Sequence, residues 1–182
     1  MDFIPTRIKD VIILVPKVFQ DDRGIFLETY RYDEFKTAEI KEQFIQDNHA
    51  GSKQGVLRGL HYQIQQAQGK LVRAVTGRIF DVAVDLRKSS PTFGQSVGEI
   101  LDDQERRQLW IPPGFAHGYY VLSEWAEVSY KVTNYYAPEW ERTLLWNDSA
   151  LKIDWPLIEN ELPILSSNDL QGKLLREAEV YE

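Results

Sequence analysis

The chain carries three histidines, His49, His61 and His117, and no cysteine. An imidazole takes up and returns protons near neutral pH, so each His is a candidate general base as well as a candidate metal ligand. All three sit beside strand or turn signals, in Asp47-Asn48-His49-Ala50-Gly51, Arg58-Gly59-Leu60-His61-Tyr62-Gln63 and Pro113-Gly114-Phe115-Ala116-His117-Gly118. Any one of them is ordinarily a hydrogen-bonded structural or surface residue. For His61 the neighbours shift the reading toward a general base. Gly59 leaves room beside the ring, and Arg58 lies at the same edge, where a bulge lets two neighbours serve one site. On a regular strand over 56–63, Leu57, Gly59, His61 and Gln63 share one face, and Arg58, Leu60 and Tyr62 share the other.

Three further clusters have chemistry to offer. In Gly69-Lys70-Leu71-Val72-Arg73 the plain reading is a solvated strand start; the functional one is an ammonium that stabilises a developing oxyanion, worth about 3 kcal/mol. In Val128-Ser129-Tyr130-Lys131-Val132 a strand Tyr ordinarily fills core or surface. If Tyr130 projects inward, its phenol can donate a proton from the face opposite a His. The run Phe19-Gln20-Asp21-Asp22-Arg23-Gly24-Ile25-Phe26-Leu27-Glu28 is ordinarily a turn with a solvated Arg. Yet Arg23 and Glu28 flank aromatic residues, Phe26 among them, as expected where a phosphate and a sugar or base are gripped.

These residues need a scaffold, and its pattern is mostly β. Val11–Val15, Ile25–Tyr30, Val56–Gln63, Leu71–Val75, Ile79–Leu86, Ser96–Leu101, Gln108–Ile111, Gly118–Leu122 and Glu127–Thr133 all read as strands. Over Ile79–Leu86 the alternation places Ile79, Asp81, Ala83 and Asp85 against Phe80, Val82, Val84 and Leu86, the period of a half-buried strand with one polar face. Only Tyr32–Glu42, with Asp33 as N-cap, and Ser167–Ala178, capped by Ser167 or Asn168, read as helices. Many short strands with few helices imply an antiparallel jelly-roll sandwich or barrel. The 182 residues suit one domain. The net charge of −7 argues against a basic nucleic-acid or membrane-binding face, but a few converging cations can still hold a phosphate. With no visible signal peptide, no spanning apolar run and no Cys, the expected location is the cytoplasm.

Metal-binding barrels of the cupin type place ligands through Gly-x5-His-x-His with a later Glu and through Pro-x-Gly-x2-His. Gly55 and His61 fit the first block, but Gln63 stands where the second His belongs; Pro112, Gly114 and His117 fit the second block. Two imidazoles fall short of the three protein ligands that an open catalytic metal takes, so no metal is expected.

In combination, the blocks resemble the dTDP-4-dehydrorhamnose 3,5-epimerase family from Val11 to about Asp169. The segments that carry this are Pro16-Lys17-Val18-Phe19, Asp22-Arg23-Gly24, Phe44–His49, Val56–His61, Gly69–Arg73, Pro113–Gly118 and Tyr130-Lys131-x-Thr133-x-Tyr135-Tyr136. The resemblance implies a jelly-roll homodimer without metal or organic cofactor, acting on a dTDP-sugar. It implies His61 as base, Asp169 as the carboxylate that orients it, Tyr130 as proton donor and Lys70 as the enolate stabiliser. It further implies that Arg23, Phe26, Glu28, Gln46, Asn48, Arg58, His117 and Glu141 bind the nucleotide sugar and that Tyr136 stacks on thymine. Asn168 departs from the family's usual Lys, which puts one phosphate contact in doubt. The alternatives are an enzyme inverting C3 or C5 alone, a metal-dependent isomerase, and a cupin that only binds a sugar nucleotide.

Overall fold

The computed structural model describes residues 1–159 and 161–182. Thirteen strands among these residues form two facing antiparallel sheets and a separate hairpin. The six-stranded sheet runs β1 (Asp2–Pro5), β2 (Ile12–Val15), β10 (Gln108–Ile111), β7 (Lys70–Thr76), β12 (Trp125–Val132) and β5 (Gln46–Lys53). The five-stranded sheet runs β13 (Glu141–Thr143), β6 (Leu57–Gln63), β11 (Phe115–Val121), β8 (Arg78–Asp85) and β9 (Ser96–Asp102). Apolar residues from both inner faces, including Val72, Val128, Leu109, Ile79, Ala83 and Tyr119, make the core between them. No helix among the described residues is long and apolar enough to cross a membrane.

The strand readings hold with small shifts of boundary, but β8 departs from its predicted surroundings. Both of its faces are covered. Ile79 and Ala83 face the inter-sheet core, while Val82, Val84 and Phe80 pack under Leu144, Leu151 and Trp155 from the C-terminal segment. The face read as polar is therefore interior, and its two carboxylates are paired. Asp81 meets His117, and Asp85 accepts from Arg87, Ser90 and Thr92.

Both helices are shorter than predicted. The first, α1, spans Tyr32–Thr37 after Arg31, not Asp33, as N-cap, and Glu39 in the left-handed region stops it. The second, α2, is one turn, Ser167–Leu170, capped by Ser166; a separate 3-10 turn covers Leu175–Glu177. Between them the chain crosses too close for a continuous helix: a Cβ on Gly172 would lie 2.7 Å from the Leu144 backbone, and Lys173 bridges to Leu144.

The hairpin of β3 (Val18–Asp21) and β4 (Gly24–Leu27) joins neither sheet. It turns through Asp22-Arg23, and Phe19, Ile25 and Phe26 are exposed on it, Phe26 at 71%.

Candidate active site

The alternation of the inner faces builds a cleft at one end of the sandwich. On the six-stranded sheet, Tyr130 pairs in register with Asn48 and Val72, so Lys70, Val72, Tyr130, Gln46, Asn48 and Ala50 share the inner face. On the opposite sheet, His117 pairs with His61 and Tyr119 with Arg58, so three residues of β6 answer two steps of β11. This bulge at Gly59-Leu60 breaks strict alternation, and Arg58 and His61, three residues apart, both line the cleft. Gly59 takes φ +115°, and a Cβ there would lie 2.6 Å from Gly118 Cα. Its lack of a side chain is thus what lets β6 and β11 meet. The cleft consists of a cavity of about 430 Å³ around Arg58, His61, Lys70, His117, Tyr119, Tyr130 and Asp169. A neighbouring space of about 290 Å³ shares His61, Lys70 and Tyr130 and is walled by Gln46, Asn48, Tyr136 and Glu141.

His61 and Asp169 are 108 residues apart in the chain and 2.7 Å apart in space, with His61 Nε2 donating to Asp169 Oδ1. Asp169 is 2% exposed and also accepts from the Gly59 N–H. Burial pushes its carboxyl up, but the hydrogen bonds from His61, Ser166 and Gly59 outweigh this and hold it below the usual carboxylate range. A carboxylate on Nε2 fixes the tautomer and leaves Nδ1 with the lone pair, the arrangement a general base needs.

Lys70 is buried on the facing sheet, and its Nζ donates to the His61 carbonyl at 3.4 Å. Burial pushes the ammonium down to about 8, against the pull of Asp81 and Glu141. Tyr130, half-buried, has its phenol pushed up by burial and stays protonated through neutral pH. His117 is buried too, with Nε2 donating to Asp81 Oδ1 at 2.7 Å. Burial holds its pKa below the usual imidazole value, which keeps it a neutral donor or acceptor on the cleft wall. The arrangement provides a base held from behind, a cation and a phenol on the opposite wall: the equipment for moving a proton on a carbon beside a carbonyl.

A family profile described as dTDP-4-dehydrorhamnose 3,5-epimerase matches residues 5–177. The chain belongs to that family. Among its relatives, the dTDP-4-dehydrorhamnose 3,5-epimerase of Pseudomonas aeruginosa is 58% identical over 175 residues, 96% of each chain. The crystal structure of the dTDP-6-deoxy-D-glucose-3,5-epimerase from Legionella pneumophila, in complex with dTDP-4-keto-L-rhamnose, is 49% identical. It superposes with a TM-score of 0.95 over 98% of this chain and 94% of that one. A 3'-monoepimerase from Streptomyces bikiniensis, solved with dTDP-quinovose, is 31% identical with a TM-score of 0.88, covering 95% and 87%. The epimerase-family resemblance read from Val11 to Asp169 thus extends a few residues at either end.

Of the residues singled out in the sequence, this family member's fold gathers ten around one cleft: His61, Lys70, Tyr130, Asp169, Arg58, His117, Gln46, Asn48, Tyr136 and Glu141. Four of these form a polar chain at the outer end, where Gln46 donates to Asn48 Oδ1, the Tyr136 N–H to Gln46 Oε1, and the Tyr136 hydroxyl to Glu141 Oε2. Arg23, Phe26 and Glu28 are not brought in: they line neither part of the cleft, and Arg23 pairs with Asp21 at 2.5 Å on the exposed hairpin. Asn168 faces a separate outer groove with Arg142 and Lys173. His49 lies on the outward face of β5, 3.3 Å from Glu127. Gln63, at the cupin ligand position, is committed to the backbone of Gln66, Tyr135 and Ala137. Among the described residues, no group of three His, Asp or Glu is placed to hold a metal ion.

The sequence reading missed Asp81, Tyr119 and Ser166. Two carboxylates, Asp81 and Asp85, on one face of a strand otherwise apolar were the signal for the first. Ser166 heads an S-x-x-D pattern, itself a helix-start signature.

Proposed function

We propose that this epimerase inverts C3 and C5 of dTDP-4-dehydro-6-deoxy-D-glucose to give dTDP-4-dehydro-L-rhamnose, with His61 as base at both carbons. Both hydrogens lie beside the C4 ketone. Breaking either C–H bond sends the proton to His61 Nδ1 and the electron pair to the carbonyl oxygen as an enolate. Lys70 meets that charge in the buried cleft. Tyr130, on the other sheet, returns a proton to the carbon from the opposite face. His61 then releases its proton to solvent and Tyr130 regains one, so the reaction balances without oxidant or reductant. The observation that carries this reading is the His61–Asp169 pair, a base fixed at 2.7 Å by a buried carboxylate and faced by Lys70 and Tyr130. Arg58 and His117 border the sugar, while Gln46, Asn48, Glu141 and the stacking Tyr136 serve the nucleotide.

The same reading assigns Arg23, Phe26 and Glu28 to the cleft of a second copy. An isolated two-stranded hairpin with exposed aromatic rings is marginal in water and calls for a covering surface. Exchange of this hairpin in a symmetric homodimer supplies that cover and delivers the three residues together. We read residues 1–182 as one domain, since β1 and Tyr181 both pair onto the sandwich, and place it in the cytoplasm, which suits a chain without Cys.

The test is proton NMR of dTDP-4-keto-6-deoxyglucose with the protein in deuterated buffer containing EDTA. Deuterium at both C3 and C5 is expected. Label at one carbon alone would make the chain a single-centre enzyme, and activity restored only by a divalent metal would overturn the metal-free route.

A further inference from the structure

We propose that Ser166 is a positioning residue of the proton-transfer site: its hydroxyl holds the Asp169 carboxylate turned so that one oxygen meets His61. The proposal rests on His61 being the base.

The two oxygens of Asp169 have separate duties. Oδ1 accepts from His61 Nε2 at 2.7 Å and from the Gly59 N–H at 3.2 Å. Oδ2 accepts from Ser166 Oγ at 2.7 Å and from the Ser166 N–H at 3.2 Å. The terminal torsion of an Asp is soft, so contacts on one oxygen alone leave the carboxylate free to swing. Anchoring the far oxygen removes that freedom.

The anchor is a capping box, closed by the Asp169 N–H donating back to Ser166 Oγ at 3.2 Å. Such a box stabilises a helix N-terminus, yet α2 has four residues and little helix to stabilise. What the box fixes is the carboxylate. The backbone around it is held independently: Ile164 N–H donates to Gly55 O at 2.8 Å and Leu57 N–H to Ile164 O at 3.0 Å. Ser166 lines the cleft, and its single hydroxyl proton goes to Asp169 Oδ2 while its oxygen accepts from the Asp169 N–H, so its one donor serves the carboxylate.

The experiment compares Ser166→Ala, Ser166→Gly and Ser166→Thr by steady-state kinetics on dTDP-4-keto-6-deoxyglucose and by the downfield imidazole N–H resonance of the His61–Asp169 hydrogen bond. Gly is nearly as good an N-cap as Ser, so Ser166→Gly separates helix capping from hydroxyl donation. Ala and Gly should each lower kcat about 10-fold, the scale of a lost hydrogen bond to a charged group, with KM little changed and the resonance shifted. Thr should restore both. Wild-type kcat and an unmoved resonance in the Gly variant would overturn the proposal, as would a loss confined to Ala that follows thermal unfolding. His61→Ala in the same series keeps the two claims apart. If it is active, the base is misassigned; if it is dead while Ser166→Gly is fully active, Ser166 alone is.

Discussion

Replacing Lys70 by Met should stabilise the folded protein while removing most of its activity. Burial lowers Lys70 from 10.5 to about 8 against the opposing pull of Asp81 and Glu141. At about 1.4 kcal/mol per pKa unit, keeping this ammonium charged in the cleft costs about 3 kcal/mol. The sign follows from proton binding. Between the folded and unfolded values the unfolded chain holds more protons, so wild-type stability rises as pH climbs from about 8 to 10.5. The penalty is therefore full below pH 8 and gone above 10.5. Met keeps the unbranched stem and loses only the long 3.4 Å hydrogen bond to His61 O. Urea unfolding of both proteins, at one protein concentration, should show the Met variant ahead by about 3 kcal/mol at pH 7, with less than half of that gap left at about pH 9.5. Turnover should fall by at least about 100-fold, the scale of a lost oxyanion donor. A Met variant less stable than wild type at pH 7, or a gap that ignores pH, would refute the view that Lys70 is held charged at a cost for the sake of the enolate.

Other substitutions test other parts of the account. Tyr130→Phe removes a phenol that burial keeps protonated; solvent exchange of a substrate C–H should persist while inverted product falls by about 100-fold, and an unchanged product rate by NMR would remove Tyr130 from the mechanism. Gly59→Ala puts a Cβ against the fixed backbone of Gly118 and His117 in a region L-residues avoid, and should cost about 3 kcal/mol or more in urea unfolding; a loss under about 1 kcal/mol would show that β6 and β11 can separate. Phe26→Asp should convert a sedimenting dimer to monomer and reduce kcat/KM, whereas a monomeric, fully active wild type would contradict the exchanged hairpin.

The strands with apolar alternation were legible because each buries a face, and β8 shows where that logic ends. Its pattern is right, but alternation cannot say whether the polar side meets water or a buried His. β5 escaped notice because Gln46-Asp47-Asn48-His49-Ala50-Gly51-Ser52-Lys53 has almost no apolar content. It is an edge strand whose inner positions Gln46, Asn48 and Ala50 line the cleft in place of core. In the site, His61, Lys70 and Tyr130 announce themselves by local chemistry. Asp169 does not, since its partner lies 108 residues earlier and only the family resemblance connected them. The overlong helix at 167–178 failed for a tertiary reason: Leu170, Leu174 and Leu175 have helical spacing, but Gly172 must pass against Leu144.

Deuterium wash-in at C3 and C5 of dTDP-4-keto-6-deoxyglucose, followed by NMR for wild type and for His61→Ala with substrate binding confirmed, decides whether a single imidazole serves both carbons. Loss of exchange at both positions in the variant is the expected result. Exchange that survives at either carbon would contradict it.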